Sequence, residues 1–166
     1  MLFRSRRSQC FAAAKALGVK SLRDATMTQL LAAKSQLDDL TFRRARHVIT
    51  EIERTLQAAS AAQKNDWATF GKLMVESHNS LRDDFEVSCE ELDVLVELAM
   101  AIGPAGGVIG SRMTGGGFGG CTVSLVRTSA IDAVTQELAA GYQKRTGIEA
   151  SIFASRPAAG ARILKV

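Results

Sequence analysis

A chain of 166 residues with 46% hydrophobic and 23% charged residues has the size and make-up of one globular domain with its own core, which excludes a disordered segment. No apolar run reaches the roughly 18 residues of a membrane span, and the opening "MLFRSRRSQC" has a basic cluster with no apolar stretch behind it, so neither a membrane protein nor a secretory signal is expected. The net charge of +4 is unevenly spread: residues 1–64 hold 12 Lys and Arg against 5 Asp and Glu, residues 65–102 hold 2 against 9, and residues 103–166 hold 7 against 3.

In chain order, the first part, about 5–102, reads as helical. Phe42, Ala45, Ile49, Ile52, Leu56 and Ala59 recur at alternating spacings of three and four and draw one apolar stripe. Arg43, Arg44 and Arg46 interleave with that stripe and read as a solvated helix face rather than a nucleic-acid surface, since aromatic residues are only 5% of the chain. The basic first segment and the acidic second one are placed to attract each other within the fold. Asn65 reads as an N-cap with Asp66 in the first turn, ahead of Trp67, Phe70, Met74 and Leu81. Ser88 and Glu91 form an S-x-x-E capping box ahead of Leu92, Leu95, Val96 and Ala99, with the helix ending near Gly103-Pro104.

After Pro104 the pattern changes, and residues from about 107 to 166 read as sheet-rich. "GVIGSRMT" (107–114) and "CTVSLVRT" (121–128) are short, β-branched and bounded by glycines, hence strands. A helix with Ile131, Val134, Leu138 and Tyr142 on one face follows, then "ASIFAS" (150–155) and "ARILKV" (161–166) as two more strands. The expected fold is α+β, a four-stranded antiparallel sheet covered by helices in a ferredoxin-like arrangement, with residues 1–166 forming one domain.

Between the first two strands lies "TGGGFGG", residues 114–120, with five glycines in six positions interrupted by Phe118. Gly115, Gly117 and Gly120 fit G-x-G-x-x-G formally, but a strand follows them instead of a helix, so the dinucleotide reading fails. The P-loop reading fails because no Gly-Lys-Ser/Thr follows. Two readings stay open: a tight hairpin, or a loop whose bare N–H groups approach a phosphate or another phosphate loop. Cys10, Cys89 and Cys121 are odd in number and far apart, which speaks against a disulfide framework and fits a reducing cytoplasm. Together with His47 and His78 they show no metal-ligand spacing. His78, one turn after Met74, reads as a core or boundary histidine; Asp83 and Asp84 as shapers of a turn; Arg112 as a partner for an acid or a phosphate; Cys121 as an inert core thiol.

"GSRMTGGGFGGCTVSLV" closely resembles the third signature motif of galactokinases, members of the GHMP small-molecule kinase superfamily. "RRARHVITEIERTLQAA" (43–59), "FGKLMVESHNSLRDDFEVSCEELDVLVELA" (70–99) and "RPAAGARIL" (156–164) continue the resemblance in the same order, over nearly the whole chain. It implies a GHMP kinase C-terminal domain, from enzymes that transfer the γ-phosphoryl group of MgATP to the C1 hydroxyl of galactose in a cleft between two lobes. The family's N-terminal motifs, with the catalytic Arg, the G-E-H triplet, the Ser-rich phosphate loop and the catalytic Asp, have no match here.

The resemblance thus implies the C-terminal lobe, with the N-terminal kinase lobe as its partner and no catalytic residue among these 166. It makes Thr114, Gly115, Gly116, Gly117, Phe118, Gly119 and Gly120 a cleft-lining nucleotide loop. ATP and Mg²⁺ belong to the two-lobed enzyme, with no tight binding expected to this chain alone. "LFRSRRSQC" (2–10) resembles the family stretch Y-N-x-R-R-x-x-C, but Phe3 stands where the sugar-site Tyr would be, and Glu90 departs from a usual Pro. A branched side chain at Gly117 is expected to cost nucleotide use more than stability. The alternative is a non-catalytic binding or dimerisation module, its homodimer covering the apolar stripes of residues 42–60 and 65–81.

Overall fold

In the computed structural model, residues 2–156 and 158 are described, with Leu2 and Phe3 described by their backbone alone. Six α-helices and one two-stranded ribbon are found among them: α1 (Leu2–Ala16), α2 (Met27–Ala32), α3 (Asp39–Gln63), α4 (Trp67–Asp83), α5 (Glu90–Ile102), β1 (Val108–Thr114), β2 (Cys121–Val126) and α6 (Ile131–Thr146).

α3 starts where Asp38 accepts the Thr41 N–H at 2.8 Å, and its first half buries Phe42, Ala45 and Ile49 against Ala13 and Ala14 of α1, Leu22 and Leu30. Only this half of the expected stripe is covered. Further along, Leu56 is 69% exposed and Ala59 is exposed too. The chain reverses into α4 one residue later than the sequence suggests. Asn65 takes a left-handed φ of 55°, a conformation its short polar side chain tolerates, and Asp66 is the N-cap, accepting from Thr69 N at 3.0 Å. At α5 the expected capping box does not form. The helix begins at Glu90, which leaves Ser88 one position too early, and its hydroxyl donates to Asp93 at 2.5 Å.

β1 and β2 pair antiparallel from Val108↔Val126 to Thr114↔Cys121, with a bulge between Val108 and Gly110. β1 lies directly on α4. A Cβ on Gly110 would stand 2.6 Å from the Cα of Gly71, so helix and strand touch through bare backbone. Ala99, Val108, Val134 and Leu138 form a second core cluster that ties α5 and α6 to the ribbon, and Val87, Leu92 and Met113 form a third beneath the glycine loop.

The four-stranded sheet needs correction. Residues 150–155 form no strand: α6 ends at Gly147, and the segment runs on with Phe153 84% exposed and only Ile152 packed against the second cluster. β propensity there is not enough, because a strand exists only where a neighbouring edge accepts its hydrogen bonds. The expected last strand, 161–166, lies outside the described residues.

Candidate functional site

Residues 115–120 join the paired ends Thr114 and Cys121, and this loop has two different sides. One rests on the segment after α4. The Phe118 N–H donates to the Val87 carbonyl at 2.6 Å, and a Cβ on Gly117, whose φ is 85°, would collide with that same oxygen and lie 2.6 Å from the Val87 Cβ. On the other side, none of the described residues lies within 4 Å of where a Cβ would stand on Gly115, Gly116 or Gly119. Gly115 and Gly119 have φ of 95° and 121°, which favours glycine on backbone grounds alone. Gly116 is neither crowded nor at positive φ, so nothing among the described residues requires its lack of a side chain.

The shelf under the loop is itself gripped by arginines. Arg6 of α1 donates through Nε to Phe85 O at 2.6 Å and through Nη2 to Glu86 O at 2.9 Å. From α3, Arg43 reaches Asp83 O at 2.8 Å and Glu86 Oε1 at 2.6 Å; Arg44 reaches Glu86 Oε2 at 2.6 Å and the Asp84 carbonyl; Arg46 pairs with the Asp84 carboxylate. The carbonyls at the end of a helix lack intrahelical donors and carry its negative dipole end, so a set of guanidinium groups satisfies both needs there. Hydrogen bonding from Arg44 holds the Glu86 carboxyl below the usual range. Glu86 is also one of three non-glycine residues at positive φ among the described residues, at 51°.

This corrects the reading of Arg43, Arg44 and Arg46 as a solvated face: Arg44 is fully buried. The opposed charges of the first two segments do meet within the fold, as their distribution led us to expect. Sequence reasoning did not find Arg6, Glu86 and Val87 as supports of the loop, and the segregation of charge was the one signal that bore on them.

A second support holds the root of β1. His78, 2% exposed, accepts the Met113 N–H on Nδ1 at 3.3 Å and turns Nε2 to Asp93 Oδ1 at 3.3 Å, while the Ser88 hydroxyl donates to that carboxylate. Burial lowers its pKa, which suits a neutral ring with its proton on Nε2. Here Ser88 bonds the acid and not the imidazole, so the trio activates no nucleophile. Asp83 and Asp84 take separate partners, Arg82 and Arg46, at the end of α4. Arg112 donates to Met113 O at 3.0 Å and to Glu51 at 3.4 Å. Cys121 is exposed rather than buried, because it sits with exposed Thr114 at the open end of the ribbon. The side chain of Phe3 lies outside the described residues.

A family model described as GHMP kinases C terminal matches residues 58–144. The chain belongs to the GHMP kinase family. Galactokinases from Bos taurus and Homo sapiens are each 52% identical to it over 159 residues, which is 96% of this chain and 39% of theirs. The galactokinase of Haemophilus influenzae is 43% identical over 166 residues, 98% of this chain and 42% of its own. Among solved structures, Lactococcus lactis galactokinase complexed with galactose matches with a TM-score of 0.85 at 33% identity, over 91% of this chain and 39% of that one.

This GHMP kinase C-terminal domain thus spans about two fifths of the length of the curated relatives it matches. The family-model match takes in the glycine loop, Val87 and Glu86, and stops short of Arg6 and Arg43 to Arg46. Among the described residues of the GHMP kinase domain, no three His, Cys, Asp or Glu side chains are grouped to hold a metal ion, and no helix is long and apolar enough to cross a membrane.

Proposed function

We propose that this domain is the C-terminal lobe of a galactokinase, which transfers the γ-phosphoryl group of ATP to the C1 hydroxyl of galactose, and that residues 114–120 wall the nucleotide and sugar cleft by buttressing the phosphate loop of an N-terminal lobe. Its relatives are galactokinases, and the observation that carries the loop's role is Gly116. The packing of the described residues leaves that position free to take a side chain, so a group approaching from outside is the reason to keep it bare. Phosphoryl transfer depends on positioning and on stabilising charge around the transferred group. This lobe supplies backbone N–H donors and a fixed wall. ATP and Mg²⁺ are assigned to the two-lobed enzyme, in which one or two carboxylates and the substrate phosphates suffice to hold the cation. The free cysteines favour a reducing compartment such as the cytoplasm.

Labelled ATP with galactose provides the test. The 166 residues alone are expected to form no galactose 1-phosphate above background, and addition of an N-terminal lobe to restore it. In the two-lobed enzyme, Gly116→Val is expected to lower turnover by about tenfold or more with an unchanged melting temperature. Product from the isolated chain, or a fully active Gly116→Val enzyme, would overturn the reading. The variant replaces Gly117→Val as the probe, since a side chain at Gly117 strikes Val87 and confounds use of the nucleotide with folding.

A further inference from the structure

The guanidinium of Arg6 touches both walls of the gap between the shelf and the glycine loop. It bridges two successive carbonyls, Phe85 O at 2.6 Å and Glu86 O at 2.9 Å, and stands 5.9 Å from the ring centroid of Phe118. The next carbonyl along the chain, Val87 O, is the one that accepts the Phe118 N–H. Shelf, loop and arginine therefore close a small circuit in which each member fixes the others. Two residues in that circuit hold conformations that side-chain-bearing residues avoid, Glu86 at φ 51° and Phe118 at φ 61°, so outside contacts must maintain both. The Arg6 side chain is 11% exposed, and burial together with the neighbouring Arg44 charge lowers its pKa.

From this arrangement we infer that Arg6 is a positioning residue for the glycine loop. It holds the Phe85 and Glu86 carbonyls so that Val87 presents its own to Phe118, and its cation lies over the exposed ring. Only a planar fork with several fixed donors spans two carbonyls and an aromatic face at once; an ammonium group has the charge without the geometry. The loop and its shelf fall within residues 58–144, the part common to the GHMP kinase model, while Arg6 reaches in from outside that part. The clamp itself stands on geometry alone. Its consequence for nucleotide use rests on the proposed function.

Hydrogen exchange followed residue by residue on the 166-residue chain tests the clamp without any appeal to catalysis. Arg6→Lys is expected to speed exchange of the Phe118 amide, and of the Gly117 and Gly119 amides beside it, by about tenfold or more, with amides in the middle of α4 and α6 unchanged. Unchanged exchange at Phe118, or an equal rise in all three regions, would overturn the inference. Should Arg6→Lys fail to fold, Phe118→Leu removes the ring and leaves the arginine network whole. It is expected to speed loop exchange by about threefold with Val87 unaffected, and wild-type exchange in the loop would sink the clamp. In the two-lobed enzyme, Arg6→Lys is expected to raise KM for ATP while KM for galactose stays constant. Faster loop exchange with an unaltered KM for ATP upholds the clamp and overturns the placing of the loop at the nucleotide.

Discussion

Gly116 and Gly117 are neighbours in one loop, yet they belong to different structures. Gly117, at φ 85° against the Val87 carbonyl, is a glycine that the domain needs in order to close on itself. Gly116 faces open space among the described residues and is not at positive φ. The flank around Gly117 is tied through Val87 and Glu86 to three arginines from two helices, whereas the arc of Gly115, Gly116 and Gly119 is tied to nothing in the described fold. Where the domain leaves a glycine unexplained, the reason for it is to be sought in what the domain meets.

The most severe way to break this contrast is to dismantle the anchored side. Arg44 is fully buried and holds both the Glu86 carboxylate and the Asp84 carbonyl. Arg44→Met is expected to cost about 3 kcal/mol, because it strands an acceptor at the end of α4 and leaves Glu86 with fewer partners. Glu86 is 41% exposed and keeps Arg43, which sets the figure at the low end for a broken ion pair. Denaturant unfolding measures it; a loss under about 1 kcal/mol would show that the network holds the shelf less firmly than its geometry indicates.

Acid should loosen the same side more gently. His47 packs its ring on Phe85 at 4.5 Å and bonds Ser80 Oγ at 2.9 Å, and burial pulls its pKa down from 6.5 to about 4 against the partly opposing pull of Glu51 and Asp84; the nearby Arg54 and Arg112 charges lower it further. A histidine with a depressed folded-state pKa binds fewer protons when folded. Its contribution is therefore fully present above pH 6.5 and is lost as the pH falls from there towards 4. The expected loss is about 2 kcal/mol between pH 7 and pH 5. Burial lowers the His78 pKa too, which adds in the same direction. His47→Asn should flatten the curve of stability against pH over that window, and an unaltered slope would remove His47 as its source.

The loop itself gives the sharpest comparison, on a smaller scale. Gly117→Ala is expected to lose about 2 kcal/mol from positive φ and the Val87 contact together, whereas Gly116→Ala should stay within about 0.5 kcal/mol. Thermal melts of the two side by side suffice. Equal losses would erase the distinction between the anchored flank and the open arc.

Much of this was legible in the sequence, and the exceptions have a common cause. The stripes of α3, α4, α5 and α6 can be read from periodicity because a helix repeats its own geometry, and the turn between β1 and β2 can be read from its glycines. The resemblance to galactokinases located the loop. Helix starts slipped by one residue, at Asn65 and Ser88: Asp66 beside Asn65 takes the cap, and the Ser88 hydroxyl is drawn to the carboxylate of Asp93 in the first turn of α5. What stayed hidden was whatever depends on a distant partner. Arg44 looks like any surface arginine until α4 ends beside it, Cys121 looks buried until the ribbon is seen to end there, and residues 150–155 look like a strand but pair with none of the described residues. For the same reason, no local pattern separated Gly116 from Gly117.

The smallest expected effect concerns a second place where the domain leaves something unexplained. α3 covers its stripe at Phe42, Ala45 and Ile49 and then abandons it, so that Leu56 stands 69% exposed. That narrows the argument for a homodimer built on residues 42–60, since half of that stripe is already spent inside the chain. A leucine that touches little can be changed at little cost: Leu56→Gln should alter the unfolding free energy by no more than about 0.5 kcal/mol, the glutamine being as good a helix former. Association is the informative readout. If the exposed end of α3 is where two copies meet, light scattering of the wild-type chain at micromolar concentration will show a mass that rises with concentration, and Leu56→Gln will suppress that rise. A wild-type chain that remains monomeric would reject the dimer outright, and Leu56 would then join Gly116 as a position whose residue the isolated domain does not require.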